Sequence, residues 1–215
     1  MSMNLLGIRK TLTVLTLLLG LGVVGFGVYA WKTVDRETRP SLPVYGTVPA
    51  FSLTERSGRT VQLSDLQGMV WVVDFIFTSC PGPCPMMTSE MKRLQSQFEG
   101  RSGVRLVSVT VDPETDTPAV LSNYAREFGA DPTRWLFLTG SSDAIRGLAT
   151  QGLHLFLQDD RNAASSSGQG SLIHSTRFVL IDRQAKIRGY FDSVDRNSMN
   201  EIVRGIDQLL GEKSS

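Results

Sequence analysis

The sequence predicts an α/β sandwich around a mixed central sheet, and three observations carry that prediction. Val70 to Thr78, VWVVDFIFT, is mostly apolar, β-branched and aromatic, as expected of a strand buried on both faces. Met87, Met91, Leu94 and Phe98 then recur at spacings of four, three and four, so Met86 to Phe98 reads as an amphipathic helix. Strand and helix patterns continue to alternate until the chain closes with a strand pair and a last helix.

The remaining elements follow in order. Val104 to Val111 is a second strand. Thr117 as N-cap and Pro118 at the first helical position start a helix that ends near Phe128-Gly129. Trp135 to Thr139 is a short strand and Ser142 to Gln151 a helix. Leu153 to Gln158 and Ile173 to Asp182 are strand candidates, separated by a polar Ser/Gly-rich stretch from Asp159 to Ser171. Lys186 to Asp192 is a final strand and Ser198 to Leu210 a closing helix. No internal repeat is present.

Ahead of this domain, residues 11–31 form an uncharged apolar run of 21 residues. At the helical rise it spans about 30 Å, the thickness of a bilayer's hydrocarbon core. Arg9 and Lys10 flank the near end, and Tyr29 and Trp31 sit at the far end, where aromatic rings favour the headgroups. Residues 1–10 therefore read as a cytoplasmic N-terminus, 11–31 as a transmembrane anchor, 32–47 as a tether with Pro40 and Pro43, and 48–215 as the folded domain outside the cytoplasm. The expected place is the inner (cytoplasmic) membrane, single-pass, with the folded domain in the periplasm or extracytoplasmic space. A cleaved signal peptide is the alternative, but its apolar core is shorter, about 7–15 residues.

Formal net charge is +1, with +3 in residues 1–40 and −2 in the remainder. A slightly acidic domain argues against nucleic acid as a partner. The chain is long enough to bury a core without a disulfide framework, so its two cysteines read as chemical.

Cys80-Pro-Gly-Pro-Cys84 lies between strand and helix, where open α/β sheets bind ligands. Three prolines, Pro81, Pro83 and Pro85, stiffen the loop. The spacing can put both sulfurs on one face, and the helix N-terminus is expected to lower thiol pKa. Two thiolates suit a soft ion such as copper(I), which one imidazole would complete. Zinc wants four ligands, and Cys80, Cys84, His154 and His174 supply them by count, but the two histidines are 20 residues apart, unlike a zinc finger. A structural disulfide stays open as the plain alternative.

VVDFIFTSCPGPCPMM resembles the Sco/SenC signature of a buried strand ending in F-x-F-T-x-C-P-x-x-C-P. VSVTVDPETDTPAVLSNYAREFGAD resembles that family's second block, with its D-P-x-x-D-T core at Asp112, Pro113, Asp116 and Thr117. IHSTRFVLID resembles the third, which carries a metal-binding histidine at the position of His174. The three blocks fall in order, and the likeness covers roughly residues 45–211.

The resemblance implies a thioredoxin-like fold and copper bound by Cys80, Cys84 and His174. It also implies a role in metallating cytochrome c oxidase, commonly at the copper centre of its second subunit. Other copper chaperones or thioredoxin-like reductants are possible partners. Some members are thought to act as thiol–disulfide oxidoreductases instead, with Cys80 and Cys84 as the redox pair. A thiol peroxidase shares the fold and is a third, weaker reading. General thioredoxin-like oxidoreductases carry a cis-proline before a late strand, but all nine prolines here lie at or before Pro132, and His174 occupies that neighbourhood. This favours the non-enzymatic metallochaperone.

Other residues have plainer readings. His154 in LHLFLQ alternates with Leu153 and Leu155 and reads as a solvent-side strand residue. Met87 reads as core and Met86 as lying near the loop, although both carry thioethers. Asp112 and Asp116 divide evenly between shaping the site or docking a partner and ordinary turn and cap chemistry. Asp74 stands where many members of the family carry an aromatic or small residue, and it faces either the active loop or a polar pocket.

Overall fold

The computed structural model describes residues 17–30, 41–155 and 175–212. The chain divides into two units, Met1–Ser41 and Leu42–Ser215. In the first, residues 17–30 are helical, with exposed Leu17, Leu18, Leu19, Leu21 and Phe26. The other residues of the 11–31 run lie outside the described residues, and among those described no helix is long and apolar enough to cross a membrane.

The second unit holds eight strands: β1 (Gly46–Thr47), β2 (Ser52–Glu55), β3 (Thr60–Gln62), β4 (Val70–Ile76), β5 (Val104–Thr110), β6 (Trp135–Thr139), β7 (Arg177–Ile181) and β8 (Lys186–Asp192). Its helices are α1 (Cys84–Gln97), α2 (Pro118–Glu127), α3 (Ser142–Gly147) and α4 (Arg196–Gly211). The strands form one sheet in the order β1-β8-β7-β4-β5-β6-β2-β3. β4, β5 and β6 run parallel, and the other pairings are antiparallel, so the sheet is mixed as expected.

β4 is buried along its whole length, because both faces of the sheet are covered. Val70, Val72 and Ile76 point into one layer with Met87, Met91 and Leu94 of α1, Leu121 and Tyr124 of α2, and Ile202 and Ile206 of α4. Trp71, Val73 and Phe75 point into the other, with Val48, Leu53, Val61 and Ile145. Thr117 caps α2 by accepting from the Val120 N–H, and Pro118 fills its first turn, as the sequence predicts.

Three expectations change. The folded unit starts at Leu42, not at residue 48. The carbonyls of Leu42 and Pro43 accept hydrogen bonds from buried Arg188 (2.8 and 3.2 Å), and Gly46–Thr47 pairs with β8, so the end of the supposed tether is part of the fold. The helix read to Gln151 stops at Gly147 and continues as a wider π-helical turn over Leu148–Gly152. Leu153 to Leu155 is not a strand: Leu153 and Leu155 are buried and His154 exposed, but His154 holds φ 50°, a left-handed conformation outside any ladder. The rest of that strand candidate lies outside the described residues.

Candidate metal and dithiol centre

Both cysteines stand at the carboxyl end of β4. The chain leaves the strand, turns through Phe77 to Cys80, where the Cys80 N–H donates to the Phe77 carbonyl (3.2 Å), and enters α1 at Cys84. Pro83 is the N-cap and Pro85 lies in the first turn, where its missing N–H costs nothing. The Met87 N–H donates to the Pro83 carbonyl (3.0 Å) and closes that turn. Cys80 is therefore carried by the loop and Cys84 by the helix.

Both thiols are free and both are buried, and they stand close enough for one to influence the other's ionisation. Burial pushes the Cys84 thiol up to about 12. The hydrogen bond with Cys80 and the negative charges of Cys80 and Asp74 push the same way, and a hydrogen bond with the Phe77 backbone opposes them. This corrects the expectation of a thiol acidified by the helix N-terminus. Loss of water disfavours the Cys84 thiolate and is the largest cause of the shift. Beyond Cys84, the Thr88 hydroxyl donates to the Cys84 carbonyl (2.9 Å) and meets the Tyr124 hydroxyl at 2.8 Å. Burial likewise pushes the Tyr124 phenol up to about 12; the Thr88 hydrogen bond opposes this, and the charges of Cys84, Asp74 and Cys80 add to it.

Asp74 lies on β4, on the same face as Val72 and Ile76, and is fully buried. Its Oδ1 accepts from the Ser108 hydroxyl (2.6 Å), which in turn accepts from the Trp135 indole N–H (3.0 Å). Its Oδ2 has no partner. Burial pushes this carboxyl up to about 7, against the opposing hydrogen bonds of Ser108 and the backbone. Asp74 is thus buried beneath the site, and its charge reaches Cys84.

The two remaining carboxylates separate. Asp116 is fully buried and accepts from the Thr78 N–H (3.1 Å), the Thr78 hydroxyl (2.5 Å) and the Thr110 hydroxyl (2.5 Å), so it shapes the loop ahead of Cys80. Asp112 has turn chemistry: its carbonyl accepts from the Asp116 N–H (2.8 Å) and its Oδ1 from the Thr115 N–H (3.4 Å). Met87 is core, and Met86 is exposed beside the loop, as read. Tyr124 and Thr88 are the neighbours that sequence reasoning missed; Tyr124 lies 40 residues beyond Cys84 and no local pattern announces it.

The structure brings together Cys80 and Cys84. His174 lies outside the described residues, and among the described residues no group of three or more His, Cys, Asp or Glu side chains could hold a metal ion. The pair itself fits a soft ion: two adjacent reduced sulfurs on a turn stiffened by prolines, walled by apolar side chains.

A reduced dithiol at the strand-to-helix turn of a mixed sheet defines a thioredoxin-like dithiol protein. Comparison narrows the class. The SCO1/SenC family model matches residues 41–211, and the chain belongs to that family. It is 30% identical over 166 residues to the SCO1 protein homolog of Bacillus subtilis (strain 168), covering 76% of this chain and 83% of that one. Among solved structures it is similar to BsSco, a Sco-family cytochrome c oxidase assembly protein described with a disulfide switch (TM-score 0.68, 28% identity, 81% of this chain and 99% of that one). It also shares the fold of Bradyrhizobium japonicum ScoI, solved with copper bound (TM-score 0.57, 24% identity, 74% and 98% covered).

Proposed function

We propose that this protein is a membrane-anchored copper-binding factor, held outside the cytoplasm, that assists metallation of a copper centre in cytochrome c oxidase. The observation that carries the reading is the pair of free, buried, neighbouring thiols at the β4–α1 turn. Cys80 and Cys84 supply two sulfurs and His174 the third ligand, a set that suits copper(I). Each thiol gives up its proton as it takes the metal, so binding tightens as pH rises. Burial of Cys84 disfavours its thiolate, which favours a cargo that binds thiolate strongly. The 11–31 run supports the anchor, and BsSco's described role in oxidase assembly supports the partner.

The second reading is thiol–disulfide exchange with cysteines of the oxidase copper site or another periplasmic protein. It is favoured by the contact between the two thiols and by the disulfide switch described for BsSco. Titration of reduced full-length protein with copper(I), against a chromogenic chelator, separates the two. The copper reading expects about one copper(I) per chain, lost in Cys80→Ser and Cys84→Ser and weakened roughly tenfold or more in His174→Ala. His174→Ala should still form the Cys80–Cys84 disulfide. A parent that binds no copper(I) yet reduces an oxidised cuproprotein would overturn the metal reading in favour of the second.

A further inference from the structure

We propose that Asp116 is a positioning residue for the cysteine loop: its buried carboxylate latches Thr78 and so fixes where Cys80 stands relative to Cys84. This deepens the reading above and rests on the same dithiol. The argument starts from how the two sulfurs are held. Cys84 is the first residue of α1, and its position follows the helix. Cys80 lies on the preceding turn, which the Cys80 N–H to Phe77 carbonyl bond closes. Thr78 is the residue after Phe77 in that turn, so whatever orients its peptide orients Cys80.

Both donors of Thr78, the N–H and the hydroxyl, go to Asp116, 38 residues further along the chain. A third donor, the Thr110 hydroxyl, arrives from the end of β5. The Thr110 oxygen also accepts from the Asp112 N–H (3.0 Å), and the Asp116 N–H donates to the Asp112 carbonyl (2.8 Å). The loop bearing Asp116 is thus itself fixed before it reaches across. Three donors converge on one buried side chain, and a carboxylate accepts all three while bringing no hydrogen of its own. An asparagine in its place keeps one oxygen and brings two N–H groups, so a hydroxyl that now donates must turn to accept or lose its partner. The turn then has to reorganise, and with it the sulfur spacing that a chelated ion or a disulfide requires.

The test uses the reduced full-length chain and three measurements on each variant: the thiol–disulfide equilibrium against a dithiothreitol buffer, copper(I) affinity by chelator competition, and urea unfolding. Asp116→Asn should shift the thiol–disulfide equilibrium and weaken copper(I), each by about tenfold. Thr78→Val should move both in the same direction by less, since it keeps the N–H. Thr78→Ser, which restores the hydroxyl, should return to the parent's values. Val107→Ala, a core change in the opposite layer, lowers stability without touching the latch and should leave both site measurements within about twofold. If Asp116→Asn does not fold, the Thr78 pair decides. The proposal is overturned if Thr78→Val moves the site no more than Val107→Ala does at equal loss of stability, or if Thr78→Ser fails to restore it. A parent that binds no copper(I) sinks the metal reading alone, because the thiol–disulfide equilibrium still reports the latch.

Discussion

At neutral pH this protein carries a carboxyl group where charge is disfavoured, and Asp74→Asn makes that cost measurable. Burial holds the folded Asp74 at about 7 against an ordinary 3.8. Below about pH 4 both folded and unfolded states keep the proton. Between about 4 and 7 the unfolded chain has released it and the folded chain has not, so stability falls as pH rises. Above about 7 both are ionised and the loss is complete. At 1.36 kcal/mol per pH unit the interval amounts to about 4 kcal/mol. Asn has no such titration and keeps an oxygen for the Ser108 hydroxyl. Its amide places N–H groups where Oδ2 has no partner, a pH-independent cost of about 1–3 kcal/mol. The variant should therefore be the less stable protein at pH 4.5 and the more stable one at pH 8. Urea unfolding followed by the fluorescence of buried Trp71 and Trp135 reads the difference. Cys84 and Tyr124, the other titratable groups that feel Asp74, ionise too far above pH 8 to interfere. Parallel stability curves for parent and variant across this range would refute a neutral buried Asp74.

Arg188→Met should cost about 3–5 kcal/mol in the same assay, because it strands buried Asp182, 2.7 Å from the guanidinium, and releases the Leu42 and Pro43 carbonyls. Met87→Ala should cost about 2–5 kcal/mol by leaving a cavity behind the cysteine loop, visible as a lower urea midpoint with unchanged slope. Alkylation of Cys84 by iodoacetamide should remain slow at pH 8 and accelerate in Asp74→Asn. Burial still dominates there, but one of the negative charges opposing the thiolate is gone; an unchanged rate would remove Asp74 from the site's electrostatics.

Much of the fold is legible in the chain. β6 and β8 have the limits their apolar patterns predict, and Thr117-Pro118 starts α2 because cap and first-turn preferences are local. β1, β2 and β3 leave no mark in the sequence, since two to four residues show too little periodicity to stand out from loop. The alternation at Leu153, His154 and Leu155 is real as burial but arises from the π-helical turn and a left-handed His154, which no strand period describes. Among the site residues, Cys80 and Cys84 were found through their spacing at a strand end, whereas Thr88 and Tyr124 join them only because α1 and α2 pack in one layer.

The sequence by itself determined that a stiff turn carries two sulfurs between a buried strand and a helix, because apolar period, proline restriction and capping act over a few neighbouring residues. Only the tertiary structure decided what those sulfurs experience. The burial that keeps Cys84 protonated, the Ser108 hydroxyl against Asp74, and the Asp116 carboxylate under Thr78 all depend on segments 30 or more residues apart. Desolvation and hydrogen-bond partnership are properties of what packs around a group, and the chain fixes them only once the sheet has assembled.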